Sequence, residues 1–189
     1  GSENSRHHIG PELQIGHQLG DAIDAPVLLI KTAWGGKSLY KDFRPPSAGG
    51  EVGEYYTKMN AEVKKTLDNI ATDFPALAGR PVEIAGFIWF QGWNDMFNKE
   101  ALEEYETNLV HLISDVRKEY AKPKLPVIIG ELGNGGLKAG KNMLAIRSAQ
   151  KTATERKEVG GRVKFVSTTT FARPKEESPN VGHGHHWFG

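Results

Sequence analysis

Four short apolar runs alternate with four amphipathic segments along this chain, and no other feature constrains its fold as strongly. The runs cover residues 26–32, 82–90, 126–132 and 163–168 and are rich in β-branched side chains. Their near-continuous hydrophobicity is typical of strands that are covered on both faces, as in a parallel sheet.

The segments around the runs carry apolar residues at spacings of three and four, as on one face of a helix. Two long helices are predicted by the stripes Tyr56, Met59, Val63, Leu67, Ile70, Phe74 and Leu102, Tyr105, Leu109, Ile113, Val116, Tyr120. A shorter helix is predicted from residue 10 to about 23, and a weaker one from 143 to about 157. This alternation predicts a three-layer α/β/α fold, doubly wound around a mostly parallel sheet.

The 189 residues fit one domain, since no repeat or low-complexity linker interrupts them. Four strands are fewer than a doubly wound sheet usually has. The chain also opens on polar residues that lead directly into a helix, without a preceding strand, and it ends at Gly189, directly after a loop. We therefore expect residues 1–189 to form a single domain that is incomplete at both ends.

Composition excludes several classes of protein. Lys and Arg number 24 against 23 Asp and Glu, so a net charge of +1 gives no reason to expect nucleic acid or an anionic membrane as partner. The absence of Cys excludes disulfides, thiolate metal sites and cysteine nucleophiles. No apolar run approaches the roughly 20 residues of a membrane span.

The loop after the first run contains paired glycines, Gly35 and Gly36, followed by Lys37 and Ser38. It is not a phosphate-binding loop, because Lys31 stands where that motif needs its first glycine. Exposed backbone N–H groups at the carboxyl end of a strand can bind an oxyanion. An ordinary strand-to-loop turn is the alternative interpretation.

The second run leads into Gln91, Gly92, Trp93, Asn94 and Asp95. The Asn94 amide can donate hydrogen bonds to developing negative charge, beside a carboxylate at the same edge of the sheet. Alternatively, Asn94 and Asp95 cap the helix that begins near residue 99.

Two further segments carry candidate residues. The tail holds His183, His185 and His186, which can be read as a general base, a metal site or a surface loop. Arg44 lies on the long irregular stretch 41–53, whose length suggests a lid or substrate loop, or simply a surface segment.

In combination, four blocks resemble the sialate O-acetylesterase-like branch of the SGNH hydrolases, near carbohydrate esterase family 6. Residues 9–13 (Ile-Gly-Pro-Glu-Leu) resemble its Gly-Pro-Glu helix start, and residues 33–39 resemble its Gly-Gly-Thr/Ser oxyanion block. Residues 89–95 resemble its Gly-x-Asn-Asp block, and residues 186–189 resemble its final block, in which a histidine precedes x-x-Gly.

The resemblance implies a flavodoxin-like fold and a serine esterase that removes acetyl groups from carbohydrate. His186 would be the general base, and Gly35, Gly36 and Asn94 would hold the oxyanion. Either Asp95 or a backbone carbonyl would orient His186, because His183 stands where the family usually has its acid. It implies no metal or organic cofactor and an extracellular or periplasmic location. The substrate-binding candidates are Gln91, Trp93, Arg44, Trp34 and His183.

One part of the family pattern is missing. The Gly-x-Ser-Asn block that carries the nucleophile does not occur in the 189 residues, and Ser2 has similar neighbours but no preceding strand. Three interpretations stay open. The serine lies on a segment missing from this piece, or on a second polypeptide of a split esterase, or the chain is a non-catalytic binding or structural unit on the same scaffold.

Overall fold

A computed structural model of the chain describes residues 10–178 and residue 182. The blocks that begin at residues 9 and 186, and with them His183 and His186, therefore lie partly or wholly outside the described residues. The chain divides into two compact units, the first formed by Gly1–Gly35 and Lys58–Pro81, the second by Gly36–Thr57 and Val82–Gly189. A single domain over residues 1–189 stays a prediction.

The first unit holds helices near the positions predicted for them. Helix α1 is Glu12–Ala22 and follows Pro11, a residue that is well tolerated at a helix start. Helix α2 is Glu54–Asp68, which contributes residues to both units, and the short helix α3 is Ile70–Asp73.

The prediction of a strand at residues 26–32 is wrong. Within the described residues, no backbone N–H of Val27 through Lys37 makes a backbone hydrogen bond, and Val27, Leu28 and Leu29 are 37%, 40% and 37% exposed. A strand exists only through its ladder with a neighbouring strand. An apolar run favours an extended segment but cannot supply that neighbour.

The second unit contains a parallel sheet in the order β1-β2-β3. Strand β1 is Phe87–Trp89, β2 is Val127–Gly130 and β3 is Val163–Val166. Ile88 lies beside Ile128, which in turn lies beside Lys164. These strands fall inside three of the four predicted runs, and the predicted α/β fold is confirmed.

Two helices connect these strands, α4 (Lys99–Glu119) and α5 (Lys141–Glu155), and they contact each other. The core of the unit is formed by fully buried aliphatic side chains from both helices and the sheet: Leu109, Leu112, Ile113, Val116, Val127, Ile129 and Ile146. In the described part of the chain, no helix combines the length and apolar character needed to cross a bilayer.

Helix α4 is capped by Asn98 and not by Asn94, which the sequence offered as one possible cap. Asn98 is its N-cap, and the side-chain oxygen accepts a 2.7 Å hydrogen bond from the Ala101 backbone N–H. Asn94 and Asp95 instead belong to the loop before it, where Asp95–Phe97 forms a turn of 3₁₀ helix. The capping interpretation of Asn94 and Asp95 is therefore wrong, and both residues belong to the carboxyl edge of the sheet.

Candidate active site

The loop that leaves β1 passes very close to helix α5. A Cβ atom on Gly92 would lie 2.7 Å from Cγ2 of Ile146, closer than real Cβ contacts allow, and 3.3 Å from the Tyr105 hydroxyl, which is a tight contact. Glycine therefore lets the backbone pass directly over the buried core. This close approach fixes the position of the residues that follow, Trp93, Asn94 and Asp95.

Asp95 joins this loop to residues 36–40. Its side chain is completely buried, and its oxygens accept 2.9 Å hydrogen bonds from the backbone N–H groups of Leu39 and Tyr40. A third hydrogen bond, of 2.6 Å, comes from Nε2 of Gln91. One carboxylate thus holds the Gly-Gly loop against the loop after β1.

Gln91 strengthens the same connection. Its Nε2 also donates to the backbone carbonyl of Lys37 at 3.0 Å, so both of its N–H groups are used within the protein. Its Oε1 accepts a 3.2 Å hydrogen bond from the Tyr105 hydroxyl, which lies in the core. The whole side-chain amide therefore serves to position the two loops.

The electrostatics of Asp95 reflect two opposing effects. Burial raises the pKa of its carboxyl group, while the hydrogen bonds from Gln91, Leu39 and Tyr40 lower it and offset part of that rise. The net result is a pKa above the usual value for an aspartate.

Asn94 and Gly36 are brought together by the Asp95 clamp, the set of hydrogen bonds that Asp95 accepts from Leu39, Tyr40 and Gln91. Nδ2 of Asn94 lies 3.8 Å from the point that a Cβ on Gly36 would occupy. Gly36 has φ of +74°, a conformation that glycine adopts without strain. Within the described residues, neither the Gly36 N–H nor the Asn94 amide makes a hydrogen bond. Two neighbouring donors therefore remain available at the carboxyl edge of the sheet. Gly35 belongs to the first unit.

Ser38, which follows these glycines, is held by Asp42. Its hydroxyl donates to the Asp42 carboxylate at 2.9 Å, and its backbone N–H donates to the same oxygen at 2.8 Å. Burial raises the pKa of the Asp42 carboxyl group. The hydrogen bonds from Ser38 and the charge of Lys37 lower it by more than burial raises it, so the pKa falls below the usual value. Ser38 therefore closes a local turn.

Arg44 organises the irregular stretch 41–53. Its guanidinium donates to the carbonyls of Tyr40, Ala48 and Gly49 and forms a 3.0 Å ion pair with Glu104. Because four of its five N–H donors are used in this way, the side chain has little capacity left for the predicted contact with substrate.

The predicted tryptophans differ in their surroundings. Trp93 packs edge-on against Phe97, with ring centroids 5.9 Å apart, and Phe97 is 70% exposed. This pair gives the second unit an aromatic surface next to Asn94. Trp34 lies in the first unit, where the ammonium of Lys58 sits 5.1 Å from its ring centroid.

A buried carboxylate at the end of β2 was not predicted from the sequence. Glu131 is 8% exposed, and its Oε2 accepts hydrogen bonds from the Ser167 hydroxyl at 2.5 Å and from the N–H groups of Thr168 and Thr169 at 2.8 and 3.0 Å. The detectable signal was an acidic residue inside the apolar run 126–132.

A buried arginine supports the loop after Glu131. Arg147 on α5 donates to the carbonyls of Leu132, Asn134 and Gly136 at 2.7, 2.7 and 2.8 Å. The glycine-rich segment 133–136 is therefore anchored. Its buried residue Asn134 lies at the same edge of the sheet as Glu131.

We expect Glu131→Gln to destabilise the protein in a pH-dependent way. Burial raises the pKa of Glu131, but the hydrogen bonds from Ser167, Thr169 and Thr168 lower it below the usual value. The ionised carboxylate therefore stabilises the fold above the usual pKa, and this contribution disappears as pH falls through the lowered one. Urea unfolding should show a loss of about 1–3 kcal/mol at pH 7, and a smaller loss at pH 3.

The matched control for this experiment is Glu51→Gln, because Glu51 is exposed. Its free energy of unfolding should stay close to that of the parent protein at both pH values. A Glu131→Gln loss of the same size at pH 3 and pH 7 would contradict the hydrogen-bonded carboxylate.

The sequence of this chain matches a known protein family. The family profile described as "Carbohydrate esterase, sialic acid-specific acetylesterase" matches residues 2–179. A protein of Arabidopsis thaliana with a crystal structure at 1.6 Å resolution is similar in fold, with a TM-score of 0.66 and 18% identity. The match covers 94% of this chain and 65% of that protein, so this chain spans just under two thirds of its length. No curated protein sequence matches. Because the family profile covers nearly the whole sequence, the chain belongs to the sialic acid-specific acetylesterase family of carbohydrate esterases.

Proposed function

We propose that this chain is part of a serine esterase that removes acetyl groups from carbohydrate, and that it supplies the oxyanion-binding part of the active site. The observation that carries the proposal is the pair of available donors, the Gly36 N–H and the Asn94 amide, held side by side at the carboxyl edge of the sheet. Sites of α/β folds lie at this edge.

The chemistry follows from what these donors can do. In ester hydrolysis, a serine oxygen attacks the carbonyl carbon, and the carbonyl oxygen becomes an oxyanion. Donors that are already in place stabilise this charge without having to reorganise. In this proposal His186 takes the proton of the serine and later passes it to the sugar oxygen that leaves.

Asp95 is proposed as a positioning residue and not as the partner of His186. Its hydrogen bonds to Leu39, Tyr40 and Gln91 hold the Gly36 loop against Asn94. A carboxylate whose oxygens already accept these three bonds has little capacity to orient an imidazole as well. The clamp and the donors are thus separate parts of one site.

The nucleophile is proposed to come from polypeptide outside these 189 residues, because they contain no Gly-x-Ser-Asn block. The Trp93–Phe97 pair beside Asn94, in which Phe97 is exposed, offers an aromatic surface against which a sugar ring can stack. Acetylated carbohydrate is accordingly the proposed substrate, and export from the cytoplasm the proposed location.

Labelling of the full-length protein with a serine-reactive phosphonate tests this proposal, together with an assay of acetate release from acetylated sialic acid and acetylated xylose. We expect acetate release and a label on a serine in a Gly-x-Ser-Asn block, either on the same polypeptide or on one that co-purifies. A label on Ser38 would contradict the proposed nucleophile. The absence of both label and acetate release would favour the non-catalytic interpretation.

A further inference from the structure

A wide groove lies at the amino edge of the sheet in the second unit, away from Gly36 and Asn94. It encloses about 860 Å³ between the last turns of α4, the loop that leads to β2 and the turn that leads to β3. The charged side chains that line it are Arg117, Lys118, Lys124, Lys157, Arg162 and Glu158. Five cations thus face one carboxylate.

Most of this positive charge is not neutralised within the protein. In the described part of the chain, no carboxylate lies within 4.0 Å of the charged groups of Lys118, Lys124, Lys157 or Arg162. Glu158, the single acidic residue of the groove, instead pairs with Arg156 at 2.8 Å. The groove therefore has an excess of exposed cations over carboxylates.

Arg117 adds a buried cation to the wall of the groove. It is 7% exposed, and within the described residues its guanidinium donates to carbonyls, those of Leu125, Val159 and Gly161. Burial lowers its pKa, and the charge of Arg162 lowers it further. The negative end of the α4 dipole compensates part of this charge, but the two arginines repel each other. The same hydrogen bonds tie the two loops together, so the groove has fixed walls.

The backbone around the groove is strained. Among the described residues, Ala121 and Arg162 are the two non-glycine residues with positive φ, at 50° and 67°, and both line the groove. Glycine would adopt either conformation at lower cost. Strain of this kind concentrates at sites that bind ligands. Arg162 thus places a cation at a position where a residue without a side chain would be more stable.

We propose that this groove is a second binding site, for a ligand that carries at least two clustered oxyanion groups. None of its lining residues is aromatic, so it offers no surface on which a base or a neutral sugar ring can stack. Recognition therefore comes from the charged side chains. The proposal does not depend on the esterase activity, because the groove lies at the opposite edge of the sheet from Gly36 and Asn94.

Calorimetric titration of the full-length protein at low ionic strength tests the proposal with two probes. Sodium pyrophosphate presents compact charge, and trigalacturonate presents carboxylates spaced along a sugar chain. We expect at least one to bind, with an affinity that falls steeply as salt is added. Tighter binding of pyrophosphate would identify a phosphate-type ligand, and tighter binding of trigalacturonate would identify an acidic glycan.

Two substitutions locate the binding. The double variant Arg162→Gly/Lys124→Gln should weaken binding at least tenfold, while Arg162→Gly alone should raise or preserve Tm because it relieves the positive φ. Lys151→Gln is the matched control, since Lys151 is exposed on α5 outside the groove, and it should leave the affinity unchanged. Failure of both probes to bind, or an equal loss in Lys151→Gln, would overturn the proposal.

Discussion

Asn94→Ala should lower kcat for acetyl ester hydrolysis by the full-length protein about 10²–10³-fold, with little change in KM. The Asn94 amide has no hydrogen-bond partner within the described residues and lies beside the equally available Gly36 N–H. The substitution removes a donor that we propose to act on the oxyanion of the transition state. Because the ground-state ester carbonyl carries much less charge, substrate affinity should change little. Steady-state kinetics with acetylated sugar measures the two constants separately.

Asn98→Ala is the matched control, an identical substitution four residues further along the chain. Asn98 caps α4 through the Ala101 N–H, so its loss should cost about 1 kcal/mol of stability and leave kcat unchanged. Equal kcat values for Asn94→Ala and the parent protein would contradict the proposed oxyanion site. A fall in kcat that merely follows the fraction unfolded in both variants would contradict it as well.

The sequence predicted strands correctly where an apolar run also pairs with a neighbouring strand. Strands β1, β2 and β3 all lie inside predicted runs. The run at residues 26–32 is also apolar but forms no ladder within the described residues. Hydrophobic pattern reports which residues avoid water. It does not report which neighbouring strand is present to supply backbone hydrogen bonds.

The candidate site was predictable only in part. Asn94 follows β1 and could therefore be placed at the carboxyl edge of the sheet, where the ends of parallel strands converge. Gly36 was assigned to this edge through a strand at residues 26–32 that the described residues do not form, so its place beside Asn94 depends on the contacts of Asp95 instead. The contacts from Asp95 to Leu39 and Tyr40 cross 56 and 55 residues of sequence, and no local pattern encodes such a distance. The role of Glu131 was not predicted for another reason. An acidic residue in an apolar run does not show which N–H and O–H groups will donate hydrogen bonds to its carboxylate. The role of His186 stays a prediction.

Asp95→Asn should weaken both the fold and the proposed site. The carboxylate accepts three hydrogen bonds, two of them from the backbone of residues 39 and 40. An amide in its place turns one acceptor into a donor, so at least one buried N–H loses its partner. Each donor left unsatisfied costs about 1–3 kcal/mol. Urea unfolding should show a loss of that size in the free energy of unfolding. In the absence of denaturant, where the variant is still folded, kcat should also fall, because Gly36 is no longer held beside Asn94.

Asp68→Asn separates this effect from the simple loss of a negative charge. Asp68 forms an exposed ion pair with Lys64 at 2.7 Å on one turn of α2, a contact worth about 0.3–0.5 kcal/mol. The control should therefore keep nearly all of its stability and all of its activity. If Asp95→Asn were as stable and as active as Asp68→Asn, residues 36–40 would be held in place without the carboxylate, and the positioning role assigned to Asp95 would be wrong. A loss of stability with unchanged kcat in the folded fraction would reject the positioning role alone, since the carboxylate would then support the fold without fixing the donors.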